Sequence, residues 1–589
     1  MKRILILFTV LVFLISACIP KDMMTNTPLP QEPLAVKASL TPFQPAASPA
    51  ETAPSTPVGG TAVPSFDPEA QLRGMTLEQK IGQVMIIGFD GTTVSLELRE
   101  LIEKYHVGGV ILFARNVESP RQVASLTRSL QEIALASGPP GLFIAIDQEG
   151  GRVARLTEAT GFTEFPGAMA LGATGDPDLA RQVAQAIARE MKAVGLNIDF
   201  APDLDVNNNY KNPVIGIRSF SSDPAEVAKY GVQFIEGLQG EGVLAFGKHF
   251  PGHGDTGVDS HLALPVVPHD RSRLDAVEFV PFRAAIAAGA AGIMSAHVAF
   301  PAIETVIPDL PATLSAQVLT GLLREEMGFQ GLTVTDSLEM GALAQSGFPV
   351  SRAAAMALQA GSDLLLFNRD HSLHRQAIQL ISEWIREGKI PQSRLDEAVL
   401  RVYRTKAAYQ LIRPALADLN AVNGLVGTGA AHSLALEVAR RSVTLVQDKA
   451  GLVPLSKTAR LLVLETSGAR GLGKALGATT IDVKDQPSSS DIEAWVRSVQ
   501  GQTVIIGTTD AINNPGQANL VKALIKAGIP TIVVATRGPY DLLAFCGAPA
   551  YLATYGANPP ALAAAADVLT GAFKPQGRLP VDLPEGNVP

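Results

Sequence analysis

From about residue 71 onward, short apolar runs alternate with amphipathic segments of helical length. The apolar runs predict eight strands, at residues 83–88, 109–113, 142–147, 197–205, 244–249, 292–297, 332–336 and 363–367. Helical patterns lie between them, for example at 177–194, 224–241, 274–288 and 315–326. Continuously apolar strands that alternate with helices predict a parallel sheet covered by helices, and eight such units fit a (β/α)8 barrel.

A second alternation follows the first. After a helical pattern at 391–409, the periodicity breaks over 415–429. Further apolar runs predict strands at 442–447, 461–465, 503–507, 531–535 and 550–555. About 160 residues suffice for one α/β domain of three layers. The pattern therefore predicts a TIM-type barrel at 69–415, a linker at 416–430 and an αβα sandwich at 431–589.

The N-terminus has the pattern of a secretory signal. Lys2 and Arg3 precede an apolar run at residues 4–15, which is too short to span a membrane comfortably. The run ends in Ile-Ser-Ala-Cys18, which resembles the lipobox of bacterial lipoproteins, so we expect lipidation of Cys18 and removal of the preceding signal peptide at 1–18. A simple secreted protein with an incidental Cys18 is the alternative. Residues 19–68, rich in Pro, Thr, Ser and Ala, predict a disordered tether. We therefore expect an exported protein, lipid-anchored at the bacterial cell membrane or envelope.

Composition narrows the classes of function. Hydrophobic residues make up 47% and charged residues 18%, which is typical of a globular protein. Lys and Arg number 48 against 56 Asp and Glu, and this net charge of −8 argues against a nucleic-acid partner. Since Cys18 lies in the leader, Cys546 is left alone, which excludes a disulfide framework and a cysteine-based metal cluster.

Polar residues recur where the predicted barrel strands end. They are Asp147, Asp203, Asp205, Lys248, His249, His297 and Asp336. Barrel enzymes build their sites at these strand ends. Strand ends are exposed and polar in any protein, so each residue alone has a purely structural interpretation. The repetition on most of the strands favours a functional site.

The densest chemistry lies in residues 248–261, Lys-His-Phe-Pro-Gly-His-Gly-Asp-Thr-Gly-Val-Asp-Ser-His. Asp259 stands two residues before His261, a spacing that suits a carboxylate orienting an imidazole and stabilising its charged form. A metal site is the alternative, because His249, His253, Asp255 and His261 offer zinc ligands. A second segment, 334–340, places Asp336 at the end of a strand. A carboxylate there can be a covalent nucleophile on an anomeric carbon or an ion-pair partner.

Together, residues 248–261 and 334–340 resemble glycoside hydrolase family 3, in its β-N-acetylglucosaminidase branch. Supporting matches lie at 108–113, 146–153, 200–202, 215–220, 311–315, 439–446 and 577–581. The resemblance covers essentially everything from Met75 onward. It implies a retaining enzyme without metal or cofactor that releases terminal β-linked N-acetylglucosamine from an oligosaccharide substrate, a peptidoglycan or chitin fragment.

The resemblance also implies roles for residues. Asp336 would be the nucleophile, and His261, paired with Asp259, the general acid/base. The substrate-binding residues would be Asp147, Arg155, Arg218, Lys248 and His249. Three alternatives stay open: a family 3 β-glucosidase or β-xylosidase, a metal-dependent barrel hydrolase, and a tethered carbohydrate-binding lipoprotein. The last would require a missing catalytic group, and none of the three is missing.

Overall fold

The computed structural model describes residues 66–138 and 140–584. The predicted signal peptide, Cys18 and most of the predicted tether lie outside the described residues. Phe66 packs edge-on against Tyr403, with 5.7 Å between ring centroids, and Asp67 caps the helix Pro68–Arg73. Residues 66–68, assigned to the tether by their composition, are therefore part of the packed structure. No helix in the described ranges is long and apolar enough to cross a bilayer.

Eight parallel strands form the predicted barrel. They are β1 (Met85–Ile87), β2 (Gly109–Leu112), β3 (Phe143–Ile146), β4 (Ile198–Asp199), β5 (Leu244–Phe250), β6 (Gly292–Ser295), β7 (Leu332–Thr335) and β8 (Leu365–Phe367). Each strand pairs with the next along the chain, and β1 pairs with β8. A parallel bridge between Val334 and Leu364 joins the remaining two edges. The (β/α)8 prediction is confirmed.

Helices surround this sheet. The longer ones are Leu77–Gln83, Leu96–Tyr105, Pro120–Ala136, Pro177–Ala193, Pro224–Gly240, Phe279–Ala287, Gln317–Glu326, Val350–Ala360, His371–Arg386 and Gln392–Ala408. Several begin with the same signal: Asp176 and Asp223 each accept a backbone hydrogen bond at the start of a helix whose first residue is proline. Such a cap satisfies an otherwise unpaired N–H, and proline has none to lose there. Local sequence thus fixes where these helices begin.

The helix predicted at 274–288 is instead two helices, Arg271–Ala276 and Phe279–Ala287. Val277 has a non-helical backbone, with φ −131° and ψ −71°. Pro281 has no N–H to donate to the carbonyl of residue 277, so one continuous helix would lack that bond. One helix therefore ends at Ala276 and the next begins at Phe279.

The second domain has a six-stranded sheet. Its strands are β9 (Thr444–Asp448), β10 (Leu461–Glu465), β11 (Thr479–Asp482), β12 (Thr503–Thr508), β13 (Thr531–Ala535) and β14 (Ala550–Ala553), in the order β11-β10-β12-β13-β14-β9. Only β9 is antiparallel to its neighbour. The edge strand β11 is missing from the sequence prediction, because its residues are polar and largely exposed.

Alternate residues of this sheet enter two separate cores. Leu464, Ile506 and Val533 pack on one face, and Val463, Ile505 and Val534 pack on the other. This period of two is expected of a sheet covered on both sides. The covering helices are Gly429–Ser442, Leu472–Leu476, Ser489–Ser498, Pro515–Lys526 and Pro559–Thr570. The predicted αβα sandwich is confirmed.

The second domain packs against loops of the barrel. Asn207 donates to the Tyr540 hydroxyl at 3.0 Å, and the Ser222 amide donates to the Pro580 carbonyl at 3.1 Å. Barrel residue Ile217 belongs to the same buried cluster as Leu464. The linker is also fixed, since the Gly427 amide donates to the buried Glu190 carboxylate at 3.0 Å. The sandwich is therefore held close to the loops that follow β4.

Candidate active site

One cavity of about 350 Å³ lies at the carboxyl ends of the barrel strands. Seven of the eight residues predicted from the sequence line it: Asp147, Arg155, Arg218, Lys248, His249, His261 and Asp336. Asp259, the eighth, accepts a hydrogen bond from the ring of His261 at 2.8 Å. The parallel barrel brings them together because every strand ends at the same rim.

A network of cations and carboxylates forms one wall of the cavity. The Lys248 ammonium lies 2.9 Å from Asp147 and 2.7 Å from Glu149. Glu149 also accepts two hydrogen bonds from the Arg218 guanidinium, at 2.9 and 2.7 Å. Burial alone lowers the pKa of Lys248, but these carboxylates raise it above its ordinary value, so the ammonium stays charged. Arg155 is held more loosely, 3.6 Å from Asp147.

A second buried group supports the ring of His249. The His249 Nδ1 lies 2.7 Å from the Asp205 carboxylate, and the His249 Nε2 lies 3.3 Å from Arg218. Burial, followed by the charge of Arg218, lowers the pKa of His249 to about 4, so the imidazole is neutral near pH 7. Asp203 lies beside this pair, where burial and the neighbouring Asp205 raise its pKa well above the ordinary value. The group thus presents a fixed, neutral imidazole to the cavity.

Asp336 follows β7 directly and projects into the cavity. Its carboxylate accepts a hydrogen bond from the Ser337 amide at 2.7 Å. Burial pushes its pKa upward, but His297, His249, the Ser337 amide and Lys248 outweigh that and hold the pKa of Asp336 below its ordinary value. Because burial keeps both imidazoles neutral near pH 7, the amide and the ammonium are what favour the carboxylate there.

Asp259 and His261 lie on an exposed loop after β5. The ring and the backbone amide of His261 both lie 2.8 Å from the same Asp259 oxygen. Partial burial raises the pKa of Asp259, but these hydrogen bonds outweigh it and the pKa lies below its ordinary value. The His261 side chain is 63% exposed. The pair thus meets the cavity from its solvent side, whereas Asp336 lies at the base.

Buried contacts anchor this loop. The two ring nitrogens of His253 lie 2.8 Å from the Thr256 hydroxyl and 3.0 Å from the Ser260 hydroxyl. The Ser260 carbonyl accepts from the Ala342 amide at 3.1 Å. Gly341 touches the His261 carbonyl so closely that a Cβ there would overlap it. The Asp259–His261 pair is thereby fastened to the segment that follows Asp336.

The metal alternative does not fit these contacts. Both ring nitrogens of His253 are hydrogen-bonded to hydroxyls, Asp255 pairs with His269 at 2.8 Å, and His261 pairs with Asp259. These side chains therefore do not converge on one metal position. In the described part of the chain, one trio of possible ligands does converge: Asp203, Asp205 and His249. The Arg218 guanidinium lies 3.5 Å from Asp203, so a permanent positive charge already stands beside these carboxylates. That positive charge opposes the binding of a divalent ion at the same oxygen atoms.

Two carboxylates of the site escaped the sequence reasoning. Glu149 lies two residues after Asp147, inside a segment recognised at the sequence level but given no role. Glu339 lines the cavity and accepts from the Asn368 amide at 2.7 Å. Neither stands at a strand end, which was the signal used. Glu149 could have been found from its position two residues after Asp147, directly behind an apolar strand. No comparable sequence pattern indicates Glu339.

The cavity combines three chemical capacities. Asp336 is a carboxylate of lowered pKa that can act as a nucleophile, and the Asp259–His261 pair can deliver and accept a proton. The buried Lys248 and the partly buried Asp147 and Arg218 can bind hydroxyls or a carbonyl of a polar ligand. A carboxylate and a proton donor that line the same cavity suit cleavage of a bond at an acetal carbon.

Comparisons with known proteins give the same picture. Residues 76–405 match the Glycosyl hydrolase family 3 N terminal domain, and residues 443–588 match the Glycosyl hydrolase family 3 C-terminal domain. Beta-hexosaminidase A of Pseudoalteromonas piscicida is 35% identical, over 84% of this chain and 92% of its own. A Beta-N-acetylglucosaminidase/beta-glucosidase of Cellulomonas fimi is 31% identical, over 87% and 94%. The solved structure of a glycoside hydrolase family 3 beta-N-acetylglucosaminidase from Paenibacillus sp. str. FPU-7 superimposes with a TM-score of 0.82 at 40% identity, over 87% of this chain and 99% of that one.

Proposed function

The chain belongs to glycoside hydrolase family 3 and is a glycosidase, and from this we propose that it releases terminal β-linked N-acetylglucosamine by a retaining double displacement. Beta-hexosaminidase relatives and the Paenibacillus beta-N-acetylglucosaminidase structure support the sugar. The single observation that carries the mechanism is that Asp336 and His261 line one cavity, with Asp259 bonded to the imidazole.

In the first half-reaction, Asp336 attacks the anomeric carbon and His261 protonates the leaving oxygen. The bond to the leaving group breaks, and an ester forms between Asp336 and the sugar. Asp259 stabilises the positive imidazolium and fixes its Nδ1–H, so that Nε2 faces the substrate. In the second half-reaction, neutral His261 takes a proton from water, which attacks the same carbon and frees Asp336. Two inversions retain the β configuration.

The sugar is bound by the buried polar wall. Asp147 accepts hydrogen bonds from hydroxyls, and Arg155, Arg218, Lys248 and His249 bind hydroxyls and the N-acetyl carbonyl. Lys248 and Arg218 are already fixed by Glu149, so they lose little conformational freedom when substrate arrives. This pre-organisation supports binding of a polar sugar rather than an apolar ligand.

The test of this function is a comparison of kcat/KM for p-nitrophenyl N-acetyl-β-glucosaminide and p-nitrophenyl β-glucoside. A site that hydrogen-bonds the acetamido group leaves buried donors unpaired when the group is absent, and such sites discriminate by about 10⁴ or more. Equal values, or a preference for the glucoside, would contradict the proposed sugar.

A second candidate function is β-glucosidase activity in the same cavity. The Cellulomonas fimi relative supports it, because its name carries both activities. The two substrates above decide between the candidates: dual activity gives kcat/KM values within about 10- to 200-fold, the range of a site that only accommodates the acetyl group by size.

We also propose that Cys18 carries a lipid anchor and that the protein is exported and held at the bacterial cell envelope by its Pro-rich tether. The support is the sequence alone: the short apolar run, the Ile-Ser-Ala-Cys18 junction and the composition of the segment that follows. Membrane fractionation of the wild type and of Cys18→Ser tests the anchor.

A further inference from the structure

His297 follows β6 at the carboxyl end of the barrel and has no part in the proposed mechanism. The side chain is only 1% exposed. Its Nε2 lies 2.9 Å from the carbonyl oxygen of Ser337, and its Nδ1 lies 2.9 Å from the Thr313 hydroxyl. Ser337 lines the cavity next to Asp336. A buried imidazole thus connects β6 to the residue that directly follows the proposed nucleophile.

The two partners of His297 determine which ring nitrogen carries the proton. A carbonyl oxygen only accepts hydrogen bonds, so Nε2 donates to Ser337. Burial lowers the pKa of His297 more than the charge of Asp336 raises it, so the ring is neutral near pH 7 and Nδ1 is an acceptor. The Thr313 hydroxyl therefore donates to Nδ1. A second buried side chain thereby fixes the tautomer that points the N–H of His297 at Ser337.

The peptide group between Ser337 and Leu338 is held from two sides. Its carbonyl accepts the hydrogen bond from His297, which follows β6. Its N–H donates to the Leu366 carbonyl of β8 at 2.9 Å. The strands β6 and β8 flank β7, whose end carries Asp336. The backbone just after the proposed nucleophile is therefore fixed by both neighbouring strands.

This restraint acts on the nucleophile through one hydrogen bond. The Ser337 amide donates to the Asp336 carboxylate at 2.7 Å. Near pH 7 this amide and the Lys248 ammonium favour the ionised carboxylate, because the imidazoles of His297 and His249 are neutral. When the Ser337 carbonyl loses its donor, Ser337 gains freedom to rotate, and its amide is no longer aimed at the carboxylate.

We propose that His297 is a positioning residue, which holds the Ser337 carbonyl so that the Ser337 amide stays directed at Asp336. This inference rests on the proposed function and deepens it. The imidazole acts through the Ser337 backbone on the orientation and the ionisation of the nucleophile. The titratable side chains that share the cavity with Asp336 are left unchanged in the test below: Asp147, Arg155, Arg218, Lys248, His249, His253, His261 and Glu339.

The test compares His297→Gln with His297→Asn. The glutamine amide can place an N–H where Nε2 stands, whereas the shorter asparagine amide reaches only the position of Nδ1. With p-nitrophenyl N-acetyl-β-glucosaminide at pH 7, His297→Asn should lower kcat/KM by about 10- to 100-fold, because a misplacement of about 1 Å costs up to that much. His297→Gln should stay within about threefold of the wild type. The inhibition constant of N-acetylglucosamine should change by less than about threefold in both variants, because the polar wall that binds the sugar is untouched.

The pH profile separates positioning from a general loss of packing. An aryl leaving group needs no proton, so the acid limb of kcat/KM follows the ionisation of Asp336. Loss of the amide hydrogen bond raises the pKa of this carboxyl, so the acid limb of His297→Asn should lie about one to two pH units above that of the wild type. His297→Gln should keep the wild-type limb. Recovery of activity after each sample returns to pH 7 shows that the loss is titration rather than unfolding.

His106→Asn is the matched control. His106 is also a partly buried histidine, but it ends the helix Leu96–Tyr105 before β2, at the amino end of the barrel. Its left-handed backbone, with φ 51°, is one that asparagine tolerates. The kcat/KM and the acid limb of this variant should equal those of the wild type.

A second pair of variants leaves His297 in place. Thr313→Val removes the hydroxyl that fixes the tautomer of His297, whereas Thr313→Ser keeps it. The valine variant should lower kcat/KM by about 3- to 10-fold and move the acid limb upwards, and the serine variant should do neither.

The proposed function and the positioning role fail differently. If the wild type does not cleave p-nitrophenyl N-acetyl-β-glucosaminide, the proposed function is wrong and the positioning role falls with it. If the wild type cleaves it but His297→Gln and His297→Asn lose activity equally, or the acid limb of His297→Asn does not move, only the positioning role is wrong. Should the His297 variants not fold, equal kinetics of Thr313→Val and Thr313→Ser would overturn the role in the same way.

Discussion

Glu149→Gln should destabilise the barrel although it changes only one side-chain group. The Glu149 carboxylate lies 2.7 Å from Lys248 and binds Arg218 through two hydrogen bonds, and the side chain is only 4% exposed. The substituted glutamine keeps the shape but removes the negative charge that both cations face. Each cation retains one other carboxylate partner: Asp203 lies 3.5 Å from Arg218, and Asp147 lies 2.9 Å from Lys248. Breaking a buried ion pair from one side costs about 3–5 kcal/mol, and we expect the lower half of that range because these partners remain.

The measurement is equilibrium urea unfolding followed by tryptophan fluorescence. The chain has two tryptophans: Trp384 packs against the barrel core and Trp495 packs against the second domain. In a Trp495→Phe background, the signal therefore reports the barrel alone. Glu132→Gln is the matched control, because Glu132 pairs with Arg128 at the similar distance of 2.9 Å but is 51% exposed. Exposed pairs of this kind contribute about 0.3–0.5 kcal/mol.

The pH dependence supplies a second check. Burial raises the pKa of Glu149, but Arg218 and Lys248 outweigh it and hold the pKa far below its ordinary value. A depressed folded-state pKa contributes stability that is fully present above the unfolded value of about 4.3 and is lost as the pH falls further. The difference between wild type and Glu149→Gln should therefore be constant near neutrality and shrink below about pH 4.3. A loss under about 1 kcal/mol at pH 7, or a loss no larger than that of Glu132→Gln, would refute the reasoning.

Further predictions concern the loop that carries Asp259 and His261, and the N-terminus. His261→Ala should reduce kcat/KM by about 10²- to 10⁴-fold for disaccharides but far less for p-nitrophenyl glycosides, whose leaving group needs no proton; equal losses would make His261 a binding residue. Asp259→Ala should show the same pattern more weakly. Gly341→Ala should also resemble His261→Ala, because a Cβ would push the His261 carbonyl away; unchanged disaccharide kinetics would show that the loop position does not matter. Cys18→Ser should move the protein from the membrane to the soluble fraction, and continued membrane retention would argue against the lipid anchor.

Periodicity predicted most of the fold. All eight barrel strands were located, because parallel strands buried on both faces form continuous apolar runs. The prediction of strands and helices failed where the local hydrophobic pattern does not indicate the structure. The polar edge strand β11 has almost no buried residues, and the break at Val277 depends on a missing N–H at Pro281 rather than on hydrophobicity. Phe66 was assigned to the tether because its packing partner, Tyr403, is far away in sequence.

The site was predictable only in part for a related reason. Asp336, Lys248 and His249 stand at strand ends, so topology alone brings them together. Glu149 lies on a loop, and its importance arises from Arg218, which is 69 residues away along the chain. No spacing rule within one segment reveals such contacts, because they exist only after the loops and domains have packed.

The most direct test of the account is the identity of the residue that becomes covalently attached to the sugar. A 5-fluoro-N-acetyl-β-glucosaminyl fluoride keeps the acetamido group, and its fluorine slows both half-reactions, so the glycosyl-enzyme should accumulate. Peptide mapping by mass spectrometry should then find one sugar on the peptide that contains Asp336, and none in Asp336→Ala. A label on another residue, or turnover of aryl glycosides by Asp336→Ala at the wild-type rate, would contradict the account.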